Sequence, residues 1–449
     1  MDTLAKKRSF NYNDCGDNML KRKINQDLAL WRENPSRPAL LVKGPRGVGK
    51  STSIERFAKE NYKYVVKVDF EKNPELIPVF NENLDVTTLI KKVSLFLQVE
   101  RIVSGQTLFF FDEIHLCPNV RVAVKNFVNN QKFDVIMATS YFGINPDIFP
   151  TNPYSYEQIL DMNALDFEEY LWASGVSSNI MNDLRHYFNN KIPVPDALHE
   201  LMLNVFYEYM TVGGMPEVVN SFLNTHNFSL VTKKHAKIIQ TYTKDMKQYL
   251  SKPDFTKSVK CFLSVPFQLD KENKKFQYGF VEAKTAARKY EKNLLWLYYA
   301  DMVDICFNLN LPKMPYAQQA KYDVFKVYYK DIGLLTSSYG GDAQIAIHTG
   351  KLKAYHGALL EAVVADILMK NGKKLYYFDR NTTLEADFLI KFNDKNTVLE
   401  VKEADNPKTK MIESMFENFG LTQAIKLSLN NVSYTKNVIT YPIYMAMFL

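Results

Sequence analysis

The stretch GPRGVGKS at residues 44–51 constrains the fold more than any other part of the chain. It follows the apolar run ALLVK and precedes STSIERFAKE, a run with helical spacing, so it joins a strand to a helix. The pattern Gly44-x-x-x-x-Gly49-Lys50-Ser51 is that of a P-loop, whose glycines let backbone N–H groups surround phosphate oxygens. Those phosphates would meet the positive end of the helix dipole. The sequence therefore predicts a nucleotide site in a parallel α/β domain.

Two side chains of this loop have separate predicted roles. Lys50 is expected to reach the β and γ phosphates of ATP, and the Ser51 hydroxyl to bind Mg²⁺. ATP and Mg²⁺ are therefore the predicted cofactors. The predicted nucleotide-binding residues of the loop are Gly44, Pro45, Arg46, Gly47, Val48, Gly49, Lys50, Ser51 and Thr52.

Two further apolar runs, TLFFFDEIHLCP and FDVIMATS, have the composition of buried strands with polar residues at their ends. Asp112 would bind Mg²⁺ through water, and Glu113 would orient or deprotonate the attacking water, which makes Glu113 and Lys50 the predicted catalytic residues. At the end of the later run, Thr139 or Ser140 would sense the γ-phosphate; an ordinary strand-end hydroxyl is the alternative.

The composition of the chain is that of a folded multidomain protein. With 449 residues, 46% of them hydrophobic and 23% charged, it has the length of two to four domains. The four cysteines form no C-x-x-C pair, so reduced thiols are expected rather than a zinc site or a disulfide framework. The N-terminal residues lack the apolar core of a secretion signal, and no apolar run has the length of a membrane span. We therefore predict a cytoplasmic protein without membrane contact.

Changes in pattern along the chain predict five regions. Strands alternate with helices up to about residue 154, a helical stretch follows, and a basic stretch then leads to a C-terminal α/β pattern. The predicted regions are an N-terminal helix at 1–34, a P-loop ATPase core at 35–154, a helical lid at 155–235, a basic winged-helix-like domain at 236–345 and a nuclease-like domain at 346–449.

Five motifs, in this order, give the chain a family resemblance: GPRGVGKS, TLFFFDEIHLCP, FDVIMATS, ALDFEEYL and VGGMPEVV. Together they resemble the bacterial and archaeal AAA-type ATPases whose C-terminal part is a domain of unknown function, the DUF4143 family. The pairing of L-x-F-E-E-Y with G-G-M-P-E is the specific part, and the resemblance covers nearly the whole chain. It implies an additional-strand P-loop core that binds and hydrolyses Mg-ATP.

The chain departs from the family pattern at one point. The family often carries a Gly-Arg or Gly-Lys pair shortly before L-x-F-E-E, whereas this chain has no Lys or Arg from Phe133 to Leu184. A transition-state arginine would then come from Arg185 or from a neighbouring subunit, and the second source would make the protein a homo-oligomer.

The net charge of +7 is concentrated in one segment, because residues 231–292 contain 15 Lys or Arg and 6 Asp or Glu. A basic amphipathic helix near residues 287–298 is followed by a run of β-branched and aromatic residues. This order indicates a winged helix, which the resemblance also implies. Its basic face would bind DNA phosphates in a salt-sensitive way. A docking platform for neighbouring domains is the alternative. The predicted nucleic-acid contacts are Lys284, Arg288, Lys289 and Lys292.

The C-terminal region contains charged residues in the order of a PD-(D/E)xK nuclease fold. Glu361 belongs to a predicted helix, Asp387 to a strand, and Glu400 and Lys402 to one face of the next strand. A turn centred on residues 394 and 395 would place Asp387 opposite Lys402. Two carboxylates could then bind Mg²⁺ while the lysine stabilises charge. The alternative is an ordinary hairpin stabilised by an Asp–Lys pair, since Ala386 replaces the proline of the motif.

Three functions are consistent with these patterns. The first is an ATPase that couples hydrolysis to nucleic-acid binding or remodelling. The second is a slow nucleotide-controlled switch whose C-terminal domain is a scaffold for a protein partner. The third is an ATP-gated, metal-dependent nuclease.

Overall fold

The computed structural model describes residues 20–140, 156–348, 356–380, 384–403, 410–435 and 437–449. The N-terminal part is a parallel sheet with the strand order β2-β3-β4-β1-β5. Its elements are α1 (Ile24–Glu33), β1 (Ala39–Gly44), α2 (Lys50–Asn61), β2 (Tyr64–Asp69), α3 (Val86–Leu97), β3 (Thr107–Asp112), α4 (Asn119–Asn130), β4 (Asp134–Ser140) and β5 (Glu157–Asp161).

The predicted parallel P-loop core is confirmed by this sheet. Strand β4 lies between β1 and β3, so the P-loop strand and the strand that ends in Asp112 are separated by one additional strand. Alternate residues point to opposite faces. Leu40 and Phe110 belong to the core beneath α1 and α2, whereas Leu41 and Phe111 belong to the core beneath α3 and α4. Burial of both faces explains why these strands are continuous apolar runs.

The predicted boundary at 154/155 precedes the end of this core. Strand β5 pairs in parallel with β1, so the core sheet extends to Asp161. The strand EQILD is a largely exposed edge strand, and its polar residues removed the apolar signal on which the prediction depended. The predicted boundary at 154/155 itself lies outside the described residues.

Helices follow the core. The lid contains α5 (Phe167–Ala173), α6 (Ser178–Asn190), α7 (Asp196–Val212) and α8 (Pro216–Thr225). The next helix, α9 (Phe228–Tyr249), continues through the predicted boundary at 235/236. Asp166 caps α5, because its side chain accepts the Glu169 N–H while Glu169 bonds back to the Asp166 N–H. The L-x-F-E-E motif is therefore a helix N-terminus.

The basic region is helical and ends in a hairpin. It contains α10 (Lys252–Leu269), α11 (Tyr278–Val281), α12 (Glu291–Tyr299), β6 (Val303–Leu309), β7 (Ala320–Tyr329), α13 (Ile332–Ser337) and α14 (Gly341–His348). The predicted helix over 287–298 begins later, since residues 287–289 form one 3₁₀ turn. Strands β6 and β7 are antiparallel, and β6 also pairs in parallel with β8 (Tyr376–Arg380). With β9 (Leu384–Ala386) they form a sheet of the order β7-β6-β8-β9, which crosses the predicted boundary at 345/346.

The C-terminal region contains a second mixed sheet with the order β10-β11-β12-β14-β13. Its elements are α15 (His356–Lys370), β8, β9 (Leu384–Ala386), β10 (Phe388–Phe392), β11 (Lys395–Val401), α16 (Lys410–Phe419), β12 (Gln423–Ser428), β13 (Ser433–Thr435) and β14 (Val438–Pro442). Phe388 pairs with Leu399, which places Asp387 at the level of Glu400. The predicted pairing of Asp387 with Lys402 was therefore wrong in register. The turn uses Asn393 and Asp394, both in the left-handed region.

A buried ionic junction joins the lid to the C-terminal region. We use this name for Asp331, Asp366 and Lys370 with the hydroxyl of Tyr209. Lys370 Nζ lies 3.1 Å from Asp331 and 2.9 Å from Asp366, and Tyr209 donates to Asp366 at 2.6 Å. Asp331 also accepts the Gly214 N–H at 2.7 Å. These side chains are essentially inaccessible to water, so each charge depends on the others.

Gly214 makes the closest backbone approach beside this junction. A Cβ at this position would lie 2.0 Å from the Leu165 carbonyl oxygen. We expect Gly214→Ala to lower the free energy of unfolding by at least about 3 kcal/mol, because backbone cannot yield as a flexible side chain would. Urea denaturation followed by circular dichroism measures the loss. Gly279→Ala is the matched control, since a Cβ there meets nothing within 4 Å. Equal stability of the two variants would contradict the packing.

Candidate nucleotide site and C-terminal charged cluster

The P-loop has the backbone conformation that its glycines predict. Gly47 and Gly49 have φ of +84° and +94°, in the region that only glycine adopts at little cost. Gly49 is the N-cap of α2, so successive N–H groups face the cavity above the helix N-terminus. Gly44 serves packing instead, because a Cβ there would lie 2.0 Å from the Met162 carbonyl oxygen. Pro45 contributes a carbonyl but has no N–H to offer a phosphate.

A cavity of about 460 Å³ lies over this loop. Of the predicted loop residues, Gly47, Gly49, Lys50, Ser51 and Thr52 line it, and so does Glu113. Sequence reasoning missed the other lining residues, which are Leu20, Arg22, Asn25, Ser53, Arg56, Pro216, Glu217 and Asn220. These residues come from the chain before α1, from the first turn of α1, from α2 and from α8, so the cavity is lined by the lid as well as by the core.

Lys50 lies inside the site and not in solvent. Its ammonium donates to the carbonyl oxygens of Gly44 at 3.0 Å and Pro45 at 2.9 Å, and to Ser140 Oγ at 3.3 Å. Burial lowers the pKa of the Lys50 ammonium, and the negative charges of Glu113 and Asp112 oppose that shift. Neutral acceptors therefore hold a buried cation beside the loop, where anionic phosphate oxygens would be stronger partners.

The predicted acids Asp112 and Glu113 are next to this lysine at the end of β3. The Ser51 hydroxyl bonds to the Asp112 carboxylate, and Lys67 Nζ lies 3.0 Å from Asp112 Oδ2. Burial raises the pKa of Asp112, and these two partners oppose the shift. A hydroxyl and a carboxylate oxygen side by side form the hard oxygen donor set that Mg²⁺ prefers. The predicted metal residues thus fit the ion.

Glu113 is held by several groups at once. Its carboxylate accepts from the Ser140 N–H and Oγ, both at 3.2 Å, and its Oε2 lies 3.2 Å from His115 Nδ1. Burial raises the pKa of Glu113, but the contacts with His115, Lys50 and the Ser140 amide outweigh it and hold the pKa at about 2. Glu113 is therefore an ionised acceptor at neutral pH, as a residue that orients water must be.

The two predicted phosphate sensors differ in orientation. Ser140 faces the site through its contacts with Lys50 and Glu113. The Thr139 hydroxyl instead bonds to the Ser140 carbonyl oxygen at 3.0 Å. Only Ser140 is thus placed for the predicted role.

Arginines also occupy different positions from those predicted. Arg185 lies on α6, where it contacts Glu168 at 3.2 Å and the ring of Phe448, and it does not line the cavity. Arg22 does line it, and it donates to the Val48 carbonyl at 2.8 Å while Nε lies 3.1 Å from Glu169. The L-x-F-E-E motif thereby fixes an arginine against the P-loop. The sequence LKRK before α1 offered only an uninterpreted basic run as a signal.

The predicted C-terminal site residues come together only in part. Lys402 Nζ lies 3.0 Å from Glu400 and 3.7 Å from Asp387. Glu361 is instead bonded to Lys326 at 2.9 Å, to Tyr328 at 2.5 Å and to Lys274. Lys326 is fully buried, and sequence reasoning missed it because strand β7 is distant in sequence from the motif. Within the described residues, no three Asp, Glu, His or Cys side chains form a set able to hold a metal ion.

The four predicted nucleic-acid contacts are all exposed. Lys289 pairs with Glu282, and Lys292 Nζ lies 3.8 Å from Asp254. Leu263 and Phe267 on α10 and Phe280 on α11 are exposed large apolar residues, Phe267 with 73% of its surface accessible. No helix in the described ranges is long and apolar enough to span a membrane.

Comparison with known proteins divides the chain into three matched segments. Residues 36–171 match an AAA domain, residues 203–344 match a domain of unknown function, DUF8612, and residues 356–445 match the domain of unknown function DUF4143. A search of curated proteins gives no match.

Solved structures are similar at low identity. The Walker-type ATPase paby2304 of Pyrococcus abyssi is 12% identical with a TM-score of 0.44, over 72% of this chain and 96% of that one. The RuvB Holliday junction branch migration motor of Thermotoga maritima is 15% identical with a TM-score of 0.30, over 63% and 89%. Domain III of the replication initiation protein DnaA from Thermotoga maritima is 11% identical with a TM-score of 0.26, over 52% and 90%.

The charged cluster generates a prediction about stability and pH. Burial, followed by the neighbouring Asp387 charge, raises the pKa of Glu400 to about 8, whereas an unfolded glutamate titrates near ~4.3. The folded state therefore holds a proton that the unfolded state releases, and stability falls as pH rises from about 4.3 to about 8. We expect Glu400→Gln to flatten this fall and to be the more stable protein at pH ~9.

Thermal melting between pH ~5 and ~9 measures this difference. Glu417→Gln is the control, because Glu417 is an exposed residue of the same region. A Glu400→Gln variant that loses stability with pH as steeply as the wild type would contradict the assignment.

Proposed function

Because the chain is an AAA-type P-loop ATPase with a C-terminal DUF4143 domain, we propose that it binds ATP with Mg²⁺ in the cavity between the P-loop and α8 and hydrolyses it. The observation that carries the proposal is the convergence of Lys50, Ser51 and Glu113 on one cavity, with Asp112 bonded to Ser51 just beneath it. Lys50 and the loop amides would hold phosphate oxygens, while Ser51 and Asp112 would hold the metal. When bound, Mg²⁺ would neutralise charge on the β and γ phosphates.

The attacking water would be oriented by Glu113. Its carboxylate is ionised and faces the cavity, and Ser140 holds it from the neighbouring strand. Ser140 touches both Glu113 and Lys50, so it would respond to the γ-phosphate that Lys50 binds. Arg22 and Arg56 line the same cavity and would supply positive charge from within the chain.

We expect Glu113→Gln to keep nucleotide affinity but to lower kcat roughly 10²- to 10⁴-fold, since the carboxylate acts on water and not on phosphate. Phosphate release and the fluorescence of a bound ATP analogue measure the two quantities. Lys50→Ala should instead lose binding, and chelation of Mg²⁺ should abolish turnover. Tight binding by a wild type with negligible turnover would contradict hydrolysis and would favour the slow switch with a protein partner.

We further propose that the basic region binds single-stranded nucleic acid. Lys260, Leu263 and Phe267 lie at helical spacing on one stripe of α10, and Lys271, just after its end, lies over the Phe280 ring. Lys260 reaches Glu282 beyond α11 at 3.5 Å. The stripe therefore adjoins Phe280 and the loop with Lys284 and Arg288. Exposed aromatic rings between cations are the arrangement on which unpaired bases stack. A winged-helix character of α10, α12 and the β6–β7 hairpin remains part of this proposal.

We expect Phe267→Ala to weaken binding of a labelled single-stranded oligonucleotide by roughly 5- to 100-fold, because it removes a stacking surface. The double variant Lys284→Ala and Arg288→Ala should instead reduce the salt dependence of binding, by about 0.7 in slope for each lost phosphate contact. Fluorescence anisotropy at several salt concentrations measures both. Phe96→Ala, an exposed ring on α3, is the control. No binding at ~50 mM salt would contradict the proposal.

For the C-terminal domain we propose that it binds nucleic acid without cleaving it. Glu361 is neutralised by two lysine ammonium groups and a tyrosine hydroxyl, which leaves Asp387 and Glu400 as the carboxylates beside Lys402. Burial and the Asp387 charge raise the pKa of Glu400. Two carboxylates whose third neighbour is already paired with lysines form a poor ligand set for a divalent ion, and no group of three metal-binding side chains occurs in the described residues. The ATP-gated nuclease is thus the less favoured alternative.

A further inference from the structure

Helix α9 contacts both halves of the nucleotide site with one face. Asp245 and Tyr249 are four residues apart and so lie on the same side of the helix. Asp245 Oδ1 accepts from Arg46 of the P-loop at 3.4 Å. Tyr249, the last residue of α9, lies 2.9 Å through its hydroxyl from His115 Nε2. His115 follows Glu113 in a short 3₁₀ turn.

Glu113 depends on its neighbours for its orientation. Its φ of +53° and ψ of +47° place it in the left-handed region, which is uncommon for a residue with a side chain. The side chain leaves the line of β3 at this point, and its closest contacts are with Ser140 and His115. Ser140 comes from the core sheet, whereas His115 is itself held by α9.

The chemistry of the contacts determines which histidine nitrogen carries the proton. His115 Nδ1 lies 3.2 Å from the Glu113 carboxylate, outside hydrogen-bond geometry. Because a carboxylate offers only acceptor oxygens, this close contact is favourable when Nδ1 carries the proton. In a neutral ring Nε2 is then an acceptor, and the Tyr249 hydroxyl is its donor. The ring is 6% exposed and packs edge-on against the Tyr249 ring, so water has little access to either nitrogen. One hydroxyl on α9 thereby selects the tautomer.

We propose that Tyr249 and His115 are positioning residues for hydrolysis: Tyr249 orients His115, and His115 holds the Glu113 carboxylate towards the attacking water. This inference rests on the proposed ATPase function and adds one residue of the DUF8612 segment, Tyr249, to the site. Neither residue touches phosphate, since both act through Glu113. Their loss should therefore change kcat and leave nucleotide binding intact.

The test compares ATP hydrolysis by the wild type, Tyr249→Phe, His115→Ala and the double variant. Loss of one neutral hydrogen bond should lower kcat roughly 2- to 10-fold in Tyr249→Phe, and loss of the close contact between the ring and the carboxylate roughly 10- to 100-fold in His115→Ala. KM should stay unchanged. If Tyr249 acts through His115, the double variant matches His115→Ala. His115→Gln, which restores an N–H donor, should regain part of the rate. Tyr299→Phe, an exposed tyrosine on α12, is the matched control.

Additive losses in the double variant, or a rise in KM at constant kcat, would overturn the proposal. A second measurement does not depend on turnover. Nitrogen NMR of histidine-labelled protein, with His115→Gln to assign the signal, should give the Nδ1–H tautomer in the wild type and a mixture in Tyr249→Phe. An Nε2–H tautomer in the wild type would refute the relay. A wild type without hydrolysis would refute the ATPase function alone, because the NMR result still decides the relay.

Discussion

The carboxylate of Asp331 is the contact on which the three parts of the molecule depend. It binds the Gly214 N–H from the lid and the Lys370 ammonium from α15, and Lys370 in turn binds Asp366. A buried carboxylate without partners would be strongly unfavourable, so these groups are stable only together. The Gly213–Gly214 turn is required because side chains there would overlap Asp331 and Leu165. Met215 then follows at once and meets Gly47 of the P-loop. The C-terminal domain is thereby linked to the phosphate loop through about three residues of backbone.

The two motifs that carry the family resemblance meet at this point, which gives them a physical reason. The Leu165 N–H donates to the Gly214 carbonyl oxygen at 2.8 Å. Glu169 of the same motif holds Arg22 against the P-loop. L-x-F-E-E and G-G-M-P-E are therefore the two sides of one joint next to the nucleotide cavity. Helix α8 follows this joint directly, and the next helix, α9, contacts His115 through its last residue, Tyr249. Helix α9 continues through a single turn into α10, whose exposed stripe is the proposed nucleic-acid surface. One helix therefore lies between that surface and Glu113.

The nucleotide loop could be predicted from sequence because its chemistry is local. The loop residues lie within one turn of the chain: Gly47, Gly49, Lys50 and Ser51. An apolar run that ends in acidic residues can likewise be recognised as a strand without knowledge of the rest of the fold. Contacts between distant segments could not be predicted in this way. Lys326 and Glu361 approach only because β7 packs against α15, and a strand sequence with more than one lysine gives no sign of which lysine is buried. The edge strand β5 escaped detection because three of its five residues, Glu157, Gln158 and Asp161, are polar or charged. The hairpin turn was predicted one residue too late in the sequence. The observed turn begins at Asn393, because asparagine tolerates the left-handed conformation that the turn needs.

The chain contains two clusters of carboxylates with a lysine: Asp112 and Glu113 beside Lys50, and Glu361 beside Lys326. They differ in whether the lysine can bind a ligand, and the position of the lysine explains the difference. In the N-terminal cluster Lys50 is bonded to neutral oxygens beside an open cavity, so its charge is free to meet a phosphate. In the C-terminal cluster Lys326 is fully buried and bonded to Glu361, and its charge is cancelled within the fold. A cation that is already paired inside the protein stabilises the packing of β7 on α15 but has nothing left to offer a ligand. Catalytic capacity is concentrated where the lysine faces the cavity, and the second cluster serves the architecture that holds it there.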